Sequence, residues 1–285
     1  MIWIIPALIG ALTHTSSDII AKSLLKDDNI WWVASVPYLI AGSLLLSISI
    51  LIGVPRIDSG FLPAFIMTVG LNVLGTFLYY KSIHISDLSV TAPMLAFTPV
   101  FLILSGTLIL HETPTVIGMV GIISVVMGSF LVTGFRLSKP ASIRLFPVSG
   151  PTIMVFVAIL YSVSTTFDKI IVQNSDPFFA TGATLVVLGM IFLVVHKRIE
   201  PRYQMTRTSA LLVIGISISI AIAAVSICIA YTTTLVAYAI PIKRLSVLFS
   251  VIAGGLVFHE PAFGWRLAGA GFMAFGAILI SIAGI

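Results

Sequence analysis

Residues 241–276 read PIKRLSVLFSVIAGGLVFHEPAFGWRLAGAGFMAFG. A long apolar segment breaks at His259-Glu260-Pro261, and a glycine-punctuated apolar segment follows. The same pattern stands 148 positions earlier without a gap. Pro93, Phe101, Gly106, Leu108, His111, Glu112, Gly121, Gly128 and Leu131 match Pro241, Phe249, Gly254, Leu256, His259, Glu260, Gly269, Gly276 and Leu279. So many identities in one frame mark an internal duplication.

The 285 residues are 59% hydrophobic and only 9% charged. A soluble domain carries about 25% charged residues, so this much apolar surface implies a polytopic membrane protein. At about 20 apolar residues per crossing, the chain divides into ten spans. They lie near 2–25, 30–54, 61–83, 85–110, 114–135, 150–172, 177–195, 209–232, 235–258 and 262–284. Residues 1–13 lack a basic start and are read as part of the first span, not a cleaved leader. The expected net charge of +5 fits loops gripping anionic headgroups of the bilayer rather than nucleic acid. Cys228, the one cysteine, stands inside an apolar run and makes no intrachain disulfide.

Polar residues inside spans are costly in hydrocarbon and face other helices or a wet cavity. In the first span His14, Asp18 and Lys22 are four apart and share a helix face. Asp18 and Lys22 serve either as a self-neutralising pair at the membrane edge or as part of that inward face. Trp31 and Trp32 stand at the entrance of the second span, where aromatic belts sit. In the third, Asn72 and Thr76 share a face, and Tyr79 and Tyr80 follow a turn later. Asn72 and Thr76 act either as glue between helices or as cavity polar groups, and the tyrosines as interface anchors or cavity wall. In the sixth, Asp168 and Lys169 come near the exit, and Lys169 echoes Lys22 at an offset of 147.

Pro93 and Pro99 in the fourth span, and Pro241 in the ninth, each remove a backbone donor and loosen the helix. Such loosened helices are tolerated where they are buried in protein or line a cavity. Glu112 and Glu260, each beside a proline or one residue from it, suit a cap at the start of the fifth and tenth spans. Gly118, Gly121 and Gly128, with Gly269 and Gly276, suit close helix packing. Residues 136–149 form a basic linker that halves the chain. The expected division is a first repeat over 1–135 and a second over 150–285.

Each copy holds five spans. Five is odd, so the second copy crosses the membrane upside down. Inverted halves exchange conformations to open a central cavity to one side and then the other. The expected cavity is lined by spans 1, 3, 4, 6, 8 and 9.

The repeated pattern of a long apolar span, a glutamate, then a G-x6-G helix is carried by Glu112 with Gly121 and Gly128, and by Glu260 with Gly269 and Gly276. With Ala21-Lys22, Asp168-Lys169 and Lys243-Arg244-Leu245-Ser246, it resembles the EamA-type permeases of the drug/metabolite transporter superfamily. The resemblance covers nearly the whole chain. It implies an all-α protein of ten transmembrane helices in two inverted repeats, in the cell membrane, with no cofactor. It also implies secondary transport of small organic solutes, often export, with a possible coupling proton or ion. The family pattern does not require the His of either His-Glu pair. The resemblance implies cytoplasmic termini, whereas the charge distribution points the other way. One face would collect Lys22, Lys26, Lys81, Arg136, Lys139, Arg144, Lys197, Arg198, Arg202, Arg207 and Arg266, the other Arg56 and Lys169.

Other classes fit less well. A lipid or lipid-linked-sugar flippase on the same fold is the alternative. An intramembrane enzyme needs a catalytic dyad, and Asp18 and Asp168 differ in depth by roughly half a membrane. Neither His-Glu pair has the second histidine of a zinc helix. No ATP-binding glycine-rich loop is present. The expected substrate-binding residues are His14, Asp18, Asn72, Tyr79, Tyr80, Asp168, Lys243 and Arg244. Pro93, Glu112, Pro241 and Glu260 are the repeat's structural positions. Lys243 and Arg244 stand eight to nine residues into the ninth span, near the midplane, where each costs at least about 2.5 kcal/mol. One is expected to pair within the protein, with Asp18 or Asp168. The other is expected to meet an anionic or zwitterionic metabolite.

Overall fold

The computed structural model describes residues 2–24, 30–53, 55–85, 92–132, 150–199, 207–246, 249 and 263–284. Among these, ten α-helices follow one another with no strand. They are α1 (Ile4–Leu24), α2 (Ile30–Ile52), α3 (Phe61–Ile85), α4 (Thr98–Leu110), α5 (Val116–Val132), α6 (Gly150–Gln173), α7 (Pro177–Ile199), α8 (Arg207–Tyr231), α9 (Val236–Lys243) and α10 (Phe263–Ala283). A short 3-10 segment, Ala92–Phe97, leads into α4. Five helices among the described residues are each long and apolar enough to cross a membrane, over Trp31–Ile52, Phe61–Tyr79, Gly150–Gln173, Pro177–Arg198 and Ala210–Tyr231. Glu260 and the linker 136–149 lie outside the described residues, as do the side chains of Asp18, Lys22, Tyr80 and Pro93.

The helices gather into two compact units, and each draws on both copies of the duplication. One comprises residues 2–69 and 167–233, the other 70–166 and 234–285.

In the second of these, α5 packs on α10 through glycines. A Cβ built on Gly121 would lie 2.8 Å from the Gly276 carbonyl oxygen, and one on Gly128 2.6 Å from that of Gly269. The backbones are therefore in contact, which a side chain would prevent. Numbering rises along one helix as it falls along the other, so the two run antiparallel. Gly269 and Gly276 are the duplicates of Gly121 and Gly128. Each glycine thus meets the duplicate of the other, the reciprocal pattern that a twofold relation imposes. Two copies of one helix running antiparallel is what an inverted repeat requires.

The other unit repeats the arrangement with α2 and α7. A Cβ on Gly42 would lie 2.7 Å from the Gly182 oxygen, and one on Gly189 3.0 Å from the Ser35 oxygen. At the offset of 147, Ser35 duplicates as Gly182 and Gly42 as Gly189, so the contact is again reciprocal. Beside it, Ala41, Leu45, Leu185, Ala221 and Val225 form a buried cluster. Trp32, Val33, Val213 and Ile216 form a second, joined by Ile20. Trp32 is 6% exposed, so it is a core residue rather than part of an aromatic belt. Its indole fills the space between α2 and α8.

Candidate functional site

The fourth and ninth spans both break, at duplicate positions. In the fourth, the 3-10 segment Ala92–Phe97 contains Pro93 and ends where α4 begins at Thr98. In the ninth, α9 ends at Lys243, two residues past Pro241. Proline has no N–H to continue the ladder, which weakens the turn around it. Arg244 caps this end, its amide donating to the Ile240 carbonyl at 2.9 Å. Leu245 then donates to the Ile242 carbonyl at 3.0 Å, a tighter turn than the α-helix makes.

Thr98 links the two breaks. Its hydroxyl donates to the Leu95 carbonyl at 2.7 Å and accepts from Arg244 Nη2 at 3.4 Å. Numbering again runs oppositely, because Gly106 of α4 lies against Val236 at the start of α9. Arg244 and Lys243 are both half-buried. Lys243 occupies the last turn of α9, where carbonyl ends favour a cation. As the eighth residue of α9, it stands about 12 Å along the axis from the helix start.

In the same unit, residues 70–85 of α3 meet residues 150–166 of α6. Asn72 Nδ2 donates to Ser164 Oγ at 2.7 Å, and Tyr161 covers Gly75. Ser82 Oγ donates to the Gly150 carbonyl at 2.6 Å. Tyr79 packs with Leu78, Met94, Leu95 and Tyr161 against the buried Ile153, Met154 and Val157. This unit therefore holds Asn72, Tyr79, Lys243 and Arg244 together.

His14 and Asp168 belong to the other unit. His14 is half-buried in α1, and its carbonyl accepts from Ser17 Oγ at 2.7 Å. Asp168 Oδ1 accepts from Thr68 Oγ1 at 3.0 Å. Lys169, counted above among the cations of one membrane face, is 6% exposed inside α6. It is a buried helix residue and says little about orientation.

Glu112 does cap a helix, but not the one that follows it. It stands before α5, which begins only at Val116. Its Oε2 accepts the Val236 amide at 3.1 Å, closing the start of α9. Leu235, at the cap position of α9, offers no side-chain oxygen of its own. The start of α5 is served instead by Thr115 Oγ1, which accepts the Gly118 amide at 3.2 Å. Tyr238, in the first turn of α9, accepts the Thr115 amide at its Oη at 2.9 Å. His111 takes φ 56°, a left-handed conformation that ends α4. The amides of His111 and Glu112 both donate to the Gly106 carbonyl. This turn presents Glu112 to α9, which gives the first His-Glu pair a conformational role.

The sequence reading did not single out Thr98, Thr115, Ser164, Thr68 or Tyr238. Serine and threonine are common in membrane helices, and the partners of all five here come from distant spans.

A model of the EamA-like transporter family matches residues 1–134 and again residues 148–282. A solved crystal structure, 15% identical, superposes with a TM-score of 0.79 over 97% of this chain and 96% of its own. At that identity it speaks for the fold alone. No curated protein is significantly similar in sequence.

Proposed function

We propose, since this chain belongs to the EamA-like transporter family, that it is a secondary transporter of small organic metabolites. In this reading two repeats, 1–135 and 150–285, joined by the linker 136–149, alternate access to a shared site. The site takes a carboxylate or phosphate of an anionic or zwitterionic substrate. Lys243 binds that group, and Arg244 is the cation held within the protein. Thr98 is a partner this reading gives Arg244.

The observation that supports it is the pair of helix breaks at duplicate positions, with two adjacent cations at one of them. Discontinuous helices in inverted-repeat transporters form substrate sites in this way, near the midplane. A cation pair at such depth costs several kcal/mol to insert, and a scaffold has no use for that cost. Movement against a gradient would draw on a coupled proton or ion.

A thermal-shift screen of the purified protein against a metabolite panel tests this. Carboxylates and phosphorylated solutes are expected to raise the unfolding midpoint, and their uncharged or cationic analogues are not. Stabilisation confined to cationic amines would contradict the reading.

A further inference from the structure

The two copies differ sharply in the residue types at one contact between them. Tyr238 is 2% exposed. Its Oη accepts the Thr115 amide at 2.9 Å, and the two hydroxyls share a hydrogen bond at 3.2 Å. The ring lies over Gly118, where a Cβ would collide with Oη and Cε1. Three residues thus make one device: a hydroxyl on a ring, its partner, and a glycine that lets the ring reach it.

None of the three survives duplication. At the offset of 148, Tyr238 corresponds to Val90, Thr115 to Phe263 and Gly118 to Arg266. The Arg244–Thr98 bond behaves likewise, because the equivalents are Ala96 and Ser246. The Glu112–Val236 cap is different. Glu112 has Glu260 as its duplicate, and Val236 has Leu88, which carries a backbone N–H as every residue but proline does.

The consequence rests on the alternating-access reading above. In an inverted-repeat transporter, exchanging the conformations of the two halves generates the opposite-facing state. A contact between copies that opens in this exchange is replaced by its equivalent, whereas a reciprocal one such as Gly121–Gly276 with Gly128–Gly269 stays. A contact with a chemically matched equivalent favours neither state. A contact without one favours the state that contains it. We infer that the Tyr238–Thr115 contact is a one-sided latch, present in one access state and without a counterpart in the other, which makes the state described here the resting one. The latch joins the starts of α5 and α9. One net hydrogen bond shifts such an equilibrium about threefold to tenfold.

The test needs no substrate. In a Cys228→Ser background, Ile57→Cys and Ile282→Cys carry spin labels. Both positions are exposed, and in a ten-span path they leave the membrane on one face. Pulsed-EPR distances are recorded on the full chain in lipid nanodiscs for the parent, Tyr238→Phe and Thr115→Val. Phe keeps the ring and loses only Oη. Val keeps the amide bond to Oη and loses the hydroxyl, with both its bond to Tyr238 and its cap on Gly118, which provides a second reading if Tyr238→Phe folds poorly. The expected result is one dominant distance in the parent and a second population that grows threefold to tenfold in the variants. Two populations with unchanged weights would overturn the latch and leave alternating access standing. A single unchanged distance in all three proteins would overturn the latch and count against alternating access as well.

Discussion

The Glu112 carboxylate accepts the Val236 amide at 3.1 Å, so an acid of the first copy closes a helix of the second. The four leading amides of a helix have no partner within it. Glu112 fills part of that need across 124 residues of chain.

Glu112→Ala is therefore expected to lower stability by about 0.5–2 kcal/mol, the usual loss of a helix cap. Glu112→Gln keeps an acceptor oxygen and should lose less. Thermal unfolding of the three proteins in one detergent gives the order. Equal midpoints for parent and Ala would show that the cap adds nothing.

Glycines separate into two classes. Gly121→Ala and Gly42→Ala push a methyl group into a facing backbone oxygen, and each should cost about 1–3 kcal/mol. Gly70 and Gly271 have nothing within 4 Å of an added Cβ. Alanine there should be neutral, or stabilising by about 0.5–1 kcal/mol. Unfolding midpoints of the four variants check both halves of the claim. A loss at Gly70 as large as at Gly121 would remove the packing argument.

Asn72 and Ser164 offer a test of whether a polar residue in a span serves packing. A double-mutant cycle with Asn72→Ala and Ser164→Ala should give a coupling of about 0.6–1.7 kcal/mol, the range for bonds between membrane helices. Zero coupling would separate Asn72 from Ser164 and return it to the list of substrate contacts.

Much of this fold was legible in the sequence because it is written twice. The duplicated frame gave the ten spans and their inversion, and Pro93 and Pro241 marked both helix breaks. Gly121 and Gly128 announced a packing face that duplicates as Gly269 and Gly276. The equivalent face of α2 and α7 was missed. Its spacing, Ser35 to Gly42 and Gly182 to Gly189, is the same, but a serine replaces one glycine and the offset is shorter by one. The partner of Glu112 was not readable for a different reason. It is a backbone amide, and an amide has no residue identity for a sequence to show. Trp32 was misplaced because tryptophan suits both a membrane interface and a core, and only the fold around Val213 and Ile216 decides between them.

The central claim is that Lys243 and Arg244, at the break of the ninth span, serve an anionic substrate. The direct measurement is binding of the metabolite that most stabilises the parent, in Lys243→Gln and Arg244→Gln, each first shown to elute as a single species. Hydrogen bonds to a charged group contribute about 1.5–3 kcal/mol, so Lys243→Gln is expected to weaken binding at least about tenfold. Arg244→Gln should lower the unfolding midpoint as it loses its tie to Thr98. If both variants fold and bind that metabolite as the parent does, the cation pair is not the substrate site.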